Sequence, residues 1–113
     1  MENRFTIAEV SSFWDDTAET YDKANLNFKD AHCQRFSEAV KHLDIKPGGN
    51  ILNIWSRTGN AITFLREKFP CVEIINMEVS GKFIEIARHK FPQENFLKTD
   101  LENLPFQNNF FDA

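Results

Sequence analysis

Along this chain the apolar positions change period several times, and the changes fall at prolines and glycines. Phe13, Trp14, Ala18 and Tyr21 recur at the spacing of one helix face. Phe36, Ala39, Val40 and Leu43 repeat it more cleanly, so two helices open the chain. Pro47-Gly48-Gly49 is expected to end the second, because proline cannot continue a helix and glycine accepts the left-handed conformation that caps one. Ile51-Leu52-Asn53-Ile54 is then a short apolar run, the form taken by a strand buried on both faces. Ala61, Ile62, Leu65 and Phe69 return to helical spacing before Pro70, and Val72 to Met77 is a second, β-branched strand run. Ser80 is placed to cap a helix through Phe83, Ile84, Ala87 and Phe91. The last turn of that helix carries Arg88, His89 and Lys90, where the helix dipole favours cations. Asn95 to Thr99 supplies a third strand, and Phe110 to Ala113 reads as the start of a fourth.

Strands and helices that alternate over short connections predict an α/β unit with a parallel sheet and right-handed crossovers. Ligands of such sheets sit beyond the carboxyl ends of the strands. Here that edge is supplied by Trp55 to Gly59, Glu78 to Ser80 and Asp100 to Phe106.

Composition narrows the function classes. The 113 residues suffice for one compact unit, with 42% hydrophobic and 27% charged side chains as in ordinary globular domains. Twelve phenylalanines against one tyrosine and two tryptophans predict a core filled by rings without polar handles. The formal charge is −4, and no Lys/Arg block is present that could neutralise a run of phosphates, so a nucleic-acid footprint is missing. Cys33 and Cys71 stand 38 positions apart with no CxxC pair, and the three histidines show no ligand spacing with them. Both cysteines therefore read as free thiols of a reducing compartment, with no metal site. The opening MENRFTIAEV lacks the pattern of a leader, and no apolar run approaches the roughly 18 residues of a membrane helix, so a cytoplasmic location is expected.

Three positions at the carboxyl edge carry chemistry. Trp55-Ser56-Arg57-Thr58-Gly59 leads straight into a helix, so its N–H groups suit a polar or anionic ligand group; alternatively it is a plain turn that uses Gly59 for its backbone freedom. Glu78 ends the second strand 19 positions after Gly59, near the roughly 20-residue offset at which nucleotide-binding folds place an acid for ribose hydroxyls; alternatively it is a solvated loop acid. Asp100, after the third strand, can accept from an exocyclic amine, with Leu101 offering an apolar surface to a flat ring; alternatively it closes a local Asx-turn.

Taken in this order, the positions resemble the class I S-adenosylmethionine-dependent methyltransferases. That family reads as D-x-G-x-G-x-G after strand 1, an acid ending strand 2, and D followed by L-P-F before a strand that starts F-D. This chain has Asn53 to Gly59, then Met77-Glu78-Val79-Ser80, then Asp100 with Leu104-Pro105-Phe106, and Phe111-Asp112. Its Phe13-Trp14-Asp15-Asp16, Ala18 and Tyr21-Asp22 resemble the W-D-x-x-A-x-x-Y-D helix that members lay over the cofactor. The resemblance implies cap helices over residues 1–46 and the first half of a Rossmann-like cofactor-binding domain over 47–113, truncated after strand 3 or at the start of strand 4. It also implies S-adenosylmethionine as cofactor and a methyl acceptor, a small molecule ahead of a lipid, quinone precursor, protein or RNA.

By position, Asn53, Trp55, Arg57 and Gly59 would face the methionine part and Glu78 the ribose hydroxyls, with Val79 beside it also touching the cofactor. Asp100 with Leu101 would bind the adenine, and Tyr21 and Trp14 would close the pocket. No catalytic residue is assigned, because the family works by aligning the acceptor with an electrophilic methyl. Trp55 and Arg57 replace two glycines, and Asn53 replaces an acid. Either Trp55 enters the core or stacks on the ligand while Arg57 pairs with a carboxylate, or the side chains close the site and leave a non-catalytic pseudo-methyltransferase or an inactive fragment. A nicotinamide-dependent enzyme would need G-x-G-x-x-G, which Trp55 to Asn60 lacks. Family members place strand 4 beside strand 1, so an end at Ala113 predicts an apolar sheet edge open to self-association.

Overall fold

The computed structural model describes residues 5–26 and 29–113, so part of the opening segment read for a leader lies outside the described residues. Helix α1 spans Ile7–Asn25 and starts where the Thr6 hydroxyl accepts from the Glu9 N–H at 3.1 Å. Helix α2 spans Lys29–Lys41. Strand β1 (Asn50–Ile54), helix α3 (Ile62–Lys68), strand β2 (Glu73–Glu78), helix α4 (Gly81–Lys90) and strand β3 (Asn95–Lys98) follow. The strands form one parallel sheet in the order β1-β2-β3, with Ile51 opposite Ile74 and Asn76 opposite Phe96. Helix α1 packs against α4, and α2 against α3. The parallel sheet with alternating helices is the expected Rossmann-like architecture.

Ser80 caps α4 as its sequence position predicts: its hydroxyl accepts from the Phe83 N–H at 3.2 Å. The end of α2 departs from expectation. The helix stops at Lys41, short of Pro47, and the Lys68 ammonium of α3 donates to the carbonyls of Val40, Lys41 and Leu43. A cation from another element thus satisfies carbonyls that would otherwise need further helix or a glycine cap. Pro47-Gly48-Gly49 instead makes the turn into β1, with Gly48 at φ +83° and the Gly49 N–H on Lys46 O.

The apolar core lies where Val40, Leu65 and Phe69 meet Ile51, Val72 and Ile74. Among the described phenylalanines only Phe69 and Phe83 are fully buried, which corrects the expectation of a ring-filled core. Several of the others gather in partly exposed clusters, such as Phe106, Phe110 and Phe111 with centroids 4.8 to 5.4 Å apart. The last residues run beside β1: the Asp112 N–H donates to Asn50 O and the Leu52 N–H to Ala113 O, both at 2.8 Å. The place expected for a fourth strand is therefore taken up along the outer edge of β1, up to Leu52. Among the described residues no helix is long and apolar enough to cross a membrane.

Gly59 joins β1 to α3 under a double constraint. Its φ is +89°, and a Cβ there would lie 2.9 Å from Ile62 Cδ1 and from the Phe91 ring. Gly59→Ala should therefore cost about 1–3 kcal/mol through backbone strain and overpacking together. Urea unfolding followed by circular dichroism should show a lower midpoint at unchanged slope.

Candidate functional site

Strand β2 delivers Glu78 to the carboxyl edge of the sheet with no solvent exposure. A buried carboxylate must find donors, and it can accept at about four lone-pair positions. Oε2 accepts from the N–H groups of Val79 at 2.7 Å and Ser80 at 2.9 Å. Oε1 accepts from the Arg57 N–H at 3.1 Å and from Arg57 Nη1 at 3.3 Å. All four positions are thus met from within the chain. The reading of Glu78 as a solvated loop acid is excluded by its burial, and the pairing of Arg57 with a carboxylate is observed.

Arg57 is held on its other side as well. Its guanidinium carbon lies 3.9 Å from the Trp14 ring centroid and 5.7 Å from that of Phe83, a cation stacked on an aromatic face. Trp14 and Tyr21 both pack on Phe83, with centroids 5.9 and 4.9 Å away. Trp55 and Arg57 both adopt φ +53°, so the left-handed backbone that glycines would supply is kept with side chains in place. That conformation costs an ordinary residue about 1–2 kcal/mol. At Arg57 the two bonds to Glu78 and the stack on Trp14 offset it; Trp55 is half-buried with no comparable partner pair among the described residues.

The remaining predicted positions divide between three surroundings. Asn53 donates through Nδ2 to Asn76 Oδ1 at 3.0 Å, and Asn76 passes the pattern on to Asn95 O at 2.9 Å, a polar ladder across the sheet. Gly59 is buried against Ile62 and Phe91 and borders a cleft of about 280 Å³ between the end of α1, the first half of α2 and the start of α3. Val79 and Asp100 line a separate cleft of about 510 Å³ with Ser11, Asp15, Lys98 and Thr99. Asp100 does close the Asx-turn: Oδ1 accepts from the Glu102 N–H at 2.8 Å, and both oxygens contact Asn103 Nδ2. Leu101 beside it is half exposed.

Sequence reading assigns no role to Asp15 and Asp22, which fix α1. Seven residues apart, they share one face of α1. Asp15 accepts from the Ser80 hydroxyl and from the Lys82 N–H at the start of α4. Asp22 accepts from the Thr58 hydroxyl and pairs with Lys90 at 3.1 Å. Ser11 adds a bond to Val79 O at 3.0 Å. The signal available in the sequence was their shared face in the Trp-Asp and Tyr-Asp pairs.

The family described as "Methyltransferase domain" matches residues 52–113. The chain belongs to the class I S-adenosylmethionine-dependent methyltransferases. It is 30% identical over 110 residues to the demethylmenaquinone methyltransferase of Thermotoga maritima, covering 96% of this chain and 48% of that protein. The Paenarthrobacter aurescens demethylmenaquinone methyltransferase is 27% identical, at 93% and 41% coverage. The chain spans about half the length of the curated relatives it matches. Among solved structures, an S-adenosyl-L-methionine-dependent methyltransferase of Methanococcus maripaludis superposes with a TM-score of 0.72 at 18% identity, over 99% of this chain and 51% of that one. The DhpI chain, solved with SAM and HEP, gives 0.66 at 20%, over 88% of this chain and 45% of that one. At such identities the likeness concerns the fold.

S-adenosylmethionine is the cofactor of this family. The position expected to take the adenine would suit it: Asp100 keeps acceptor capacity on Oδ2, and Leu101 offers an apolar face. In the first loop the Ser56 hydroxyl is buried without a partner among the described residues, a polar atom that a ligand group could satisfy. The position expected to take the ribose does not suit it as it stands, because Arg57 takes the remaining face of Glu78.

The Asp15 anchor carries a pH dependence. Burial pushes its carboxyl up, but the Ser80 hydroxyl, the Lys82 N–H and the charges of Lys98 and Lys82 outweigh that and bring it below its ordinary value of 3.8. A carboxyl lowered by folding contributes stability that is present above the ordinary value and is lost as pH falls through the folded one. The stability gap between wild type and Asp15→Asn, measured by urea unfolding from pH 7 to pH 3, should be flat near neutrality and shrink below about pH 4.

Proposed function

We propose that the edge formed by Glu78, Val79, Asp100 and Leu101 is the S-adenosylmethionine site of a methyltransferase, for which this chain supplies the cofactor-binding half. The observation that carries the reading is the pair of buried acids, Glu78 ending β2 and Asp100 just after β3, on adjacent parallel strands beside a cleft lined by Val79 and Asp100. Asp100 accepts from the adenine amine while Leu101 and Val79 flank the ring. Glu78 serves the ribose hydroxyls once its outer face is free, and the loop from Trp55 to Gly59 meets the methionine part. When bound, the cofactor supplies an electrophilic methyl group. The chain's own residues fix its orientation, and α1 with Trp14 and Tyr21 shields the site from water. The demethylmenaquinone methyltransferases among the relatives support a small-molecule acceptor.

A second reading, a non-catalytic pseudo-methyltransferase, is favoured by one observation: every acceptor position of Glu78 is already filled from within the chain.

Titration with S-adenosylhomocysteine by calorimetry separates the two. Saturable one-to-one binding is expected, weakened about tenfold or more, some 1.4 kcal/mol, in Asp100→Ala. Affinity indifferent to that change would put the ligand elsewhere, and a folded wild type that takes up no ligand at millimolar concentration would leave the pseudo-methyltransferase standing.

A further inference from the structure

The four donors on Glu78 are not equivalent. The N–H groups of Val79 and Ser80 belong to the turn between β2 and α4, and the Arg57 N–H to the backbone of the first loop. Each is fixed by main chain. Only Arg57 Nη1 can leave by rotating a side chain, and the side chain is 23% exposed, so it has a route to solvent. A hydroxyl that donates to Glu78 needs the lone pair this nitrogen holds.

We infer that Arg57 is a latch that fills the hydroxyl-binding face of Glu78, and that any ribose-bearing ligand must displace its guanidinium in order to bind. The inference rests on the reading of this edge as the cofactor site and adds how entry to it is controlled. Three elements hold the latch shut: Glu78 at the end of β2, the Trp14 face on α1 and, more distantly, Phe83 on α4. Release gives up an ion pair whose carboxylate is fully buried together with a stacked cation, so the closed form dominates without ligand. A ligand that binds only the open form has its apparent affinity reduced by the open fraction. Helix α1 need not move, because Asp15, Asp22 and Ser11 hold it independently of Arg57. The backbone at position 57 already has the left-handed φ that glycine adopts freely, so removing the side chain leaves the loop path available.

The test is a calorimetric titration of wild type and Arg57→Gly with S-adenosylhomocysteine, both checked for folding by circular dichroism. Binding at least tenfold tighter in the variant is the expected result. Equal or weaker binding by the variant than by wild type overturns the latch and leaves the cofactor site standing. Absence of binding in both folded proteins overturns the cofactor reading, and the latch falls with it. A wild-type measurement decides the matter where the variant does not fold. The Arg57 side-chain Nε–H resonance, shifted by the Trp14 ring current, should move towards the position of a free arginine as ligand saturates. A resonance that stays in place at saturation overturns the latch.

Discussion

A carboxylate buried without solvent exposure at the end of β2 sets the terms for the rest of this molecule. Glu78 cannot be left unpaired there, because an isolated buried charge costs far more than a domain's margin of stability. Its four donors come from two loops, so satisfying it ties the turn after β1 to the turn after β2. Through Arg57 the same carboxylate reaches Trp14 and hence α1. The first loop is shaped by this requirement: Arg57 accepts a left-handed backbone, which an arginine ordinarily avoids, and is repaid in hydrogen bonds and an aromatic stack.

The cap helix is attached by side chains rather than by a continuous apolar seam. Ala18 is the one residue of α1 that is fully buried, and Phe13 on the same helix is largely exposed. What positions the helix is a set of directed bonds from Asp15, Asp22 and Ser11 to the start of α4, the first loop and the end of β2. Directed bonds fix register more tightly than apolar contact does, and they place Trp14 and Tyr21 over Phe83.

Much of the architecture was legible because it rests on local rules. The strand runs, the Ser80 cap and the cationic last turn of α4 follow from periodicity and dipole chemistry within a few residues. The end of α2 was misplaced because its cap is Lys68, a residue distant in sequence whose reach depends on α3 packing beside it. Asn53 illustrates the same limit. As a departure from the family pattern it draws attention to a ligand, yet the register of β1 on β2 sets it opposite Asn76, where it joins a partly buried polar ladder.

By itself the sequence determined the alternation of strands and helices, the parallel sheet, and the identity of the acids that follow β2 and β3, because those depend on residue spacing and on where strands end. Only the tertiary structure decided what the acids do at rest. Whether Glu78 faces solvent, ligand or its own chain depends on which donors converge on it, and Arg57, Val79, Ser80 and Trp14 come together only when two loops and the cap helix have packed. Hydrogen-bond saturation is a property of that convergence, and no single stretch of sequence carries it.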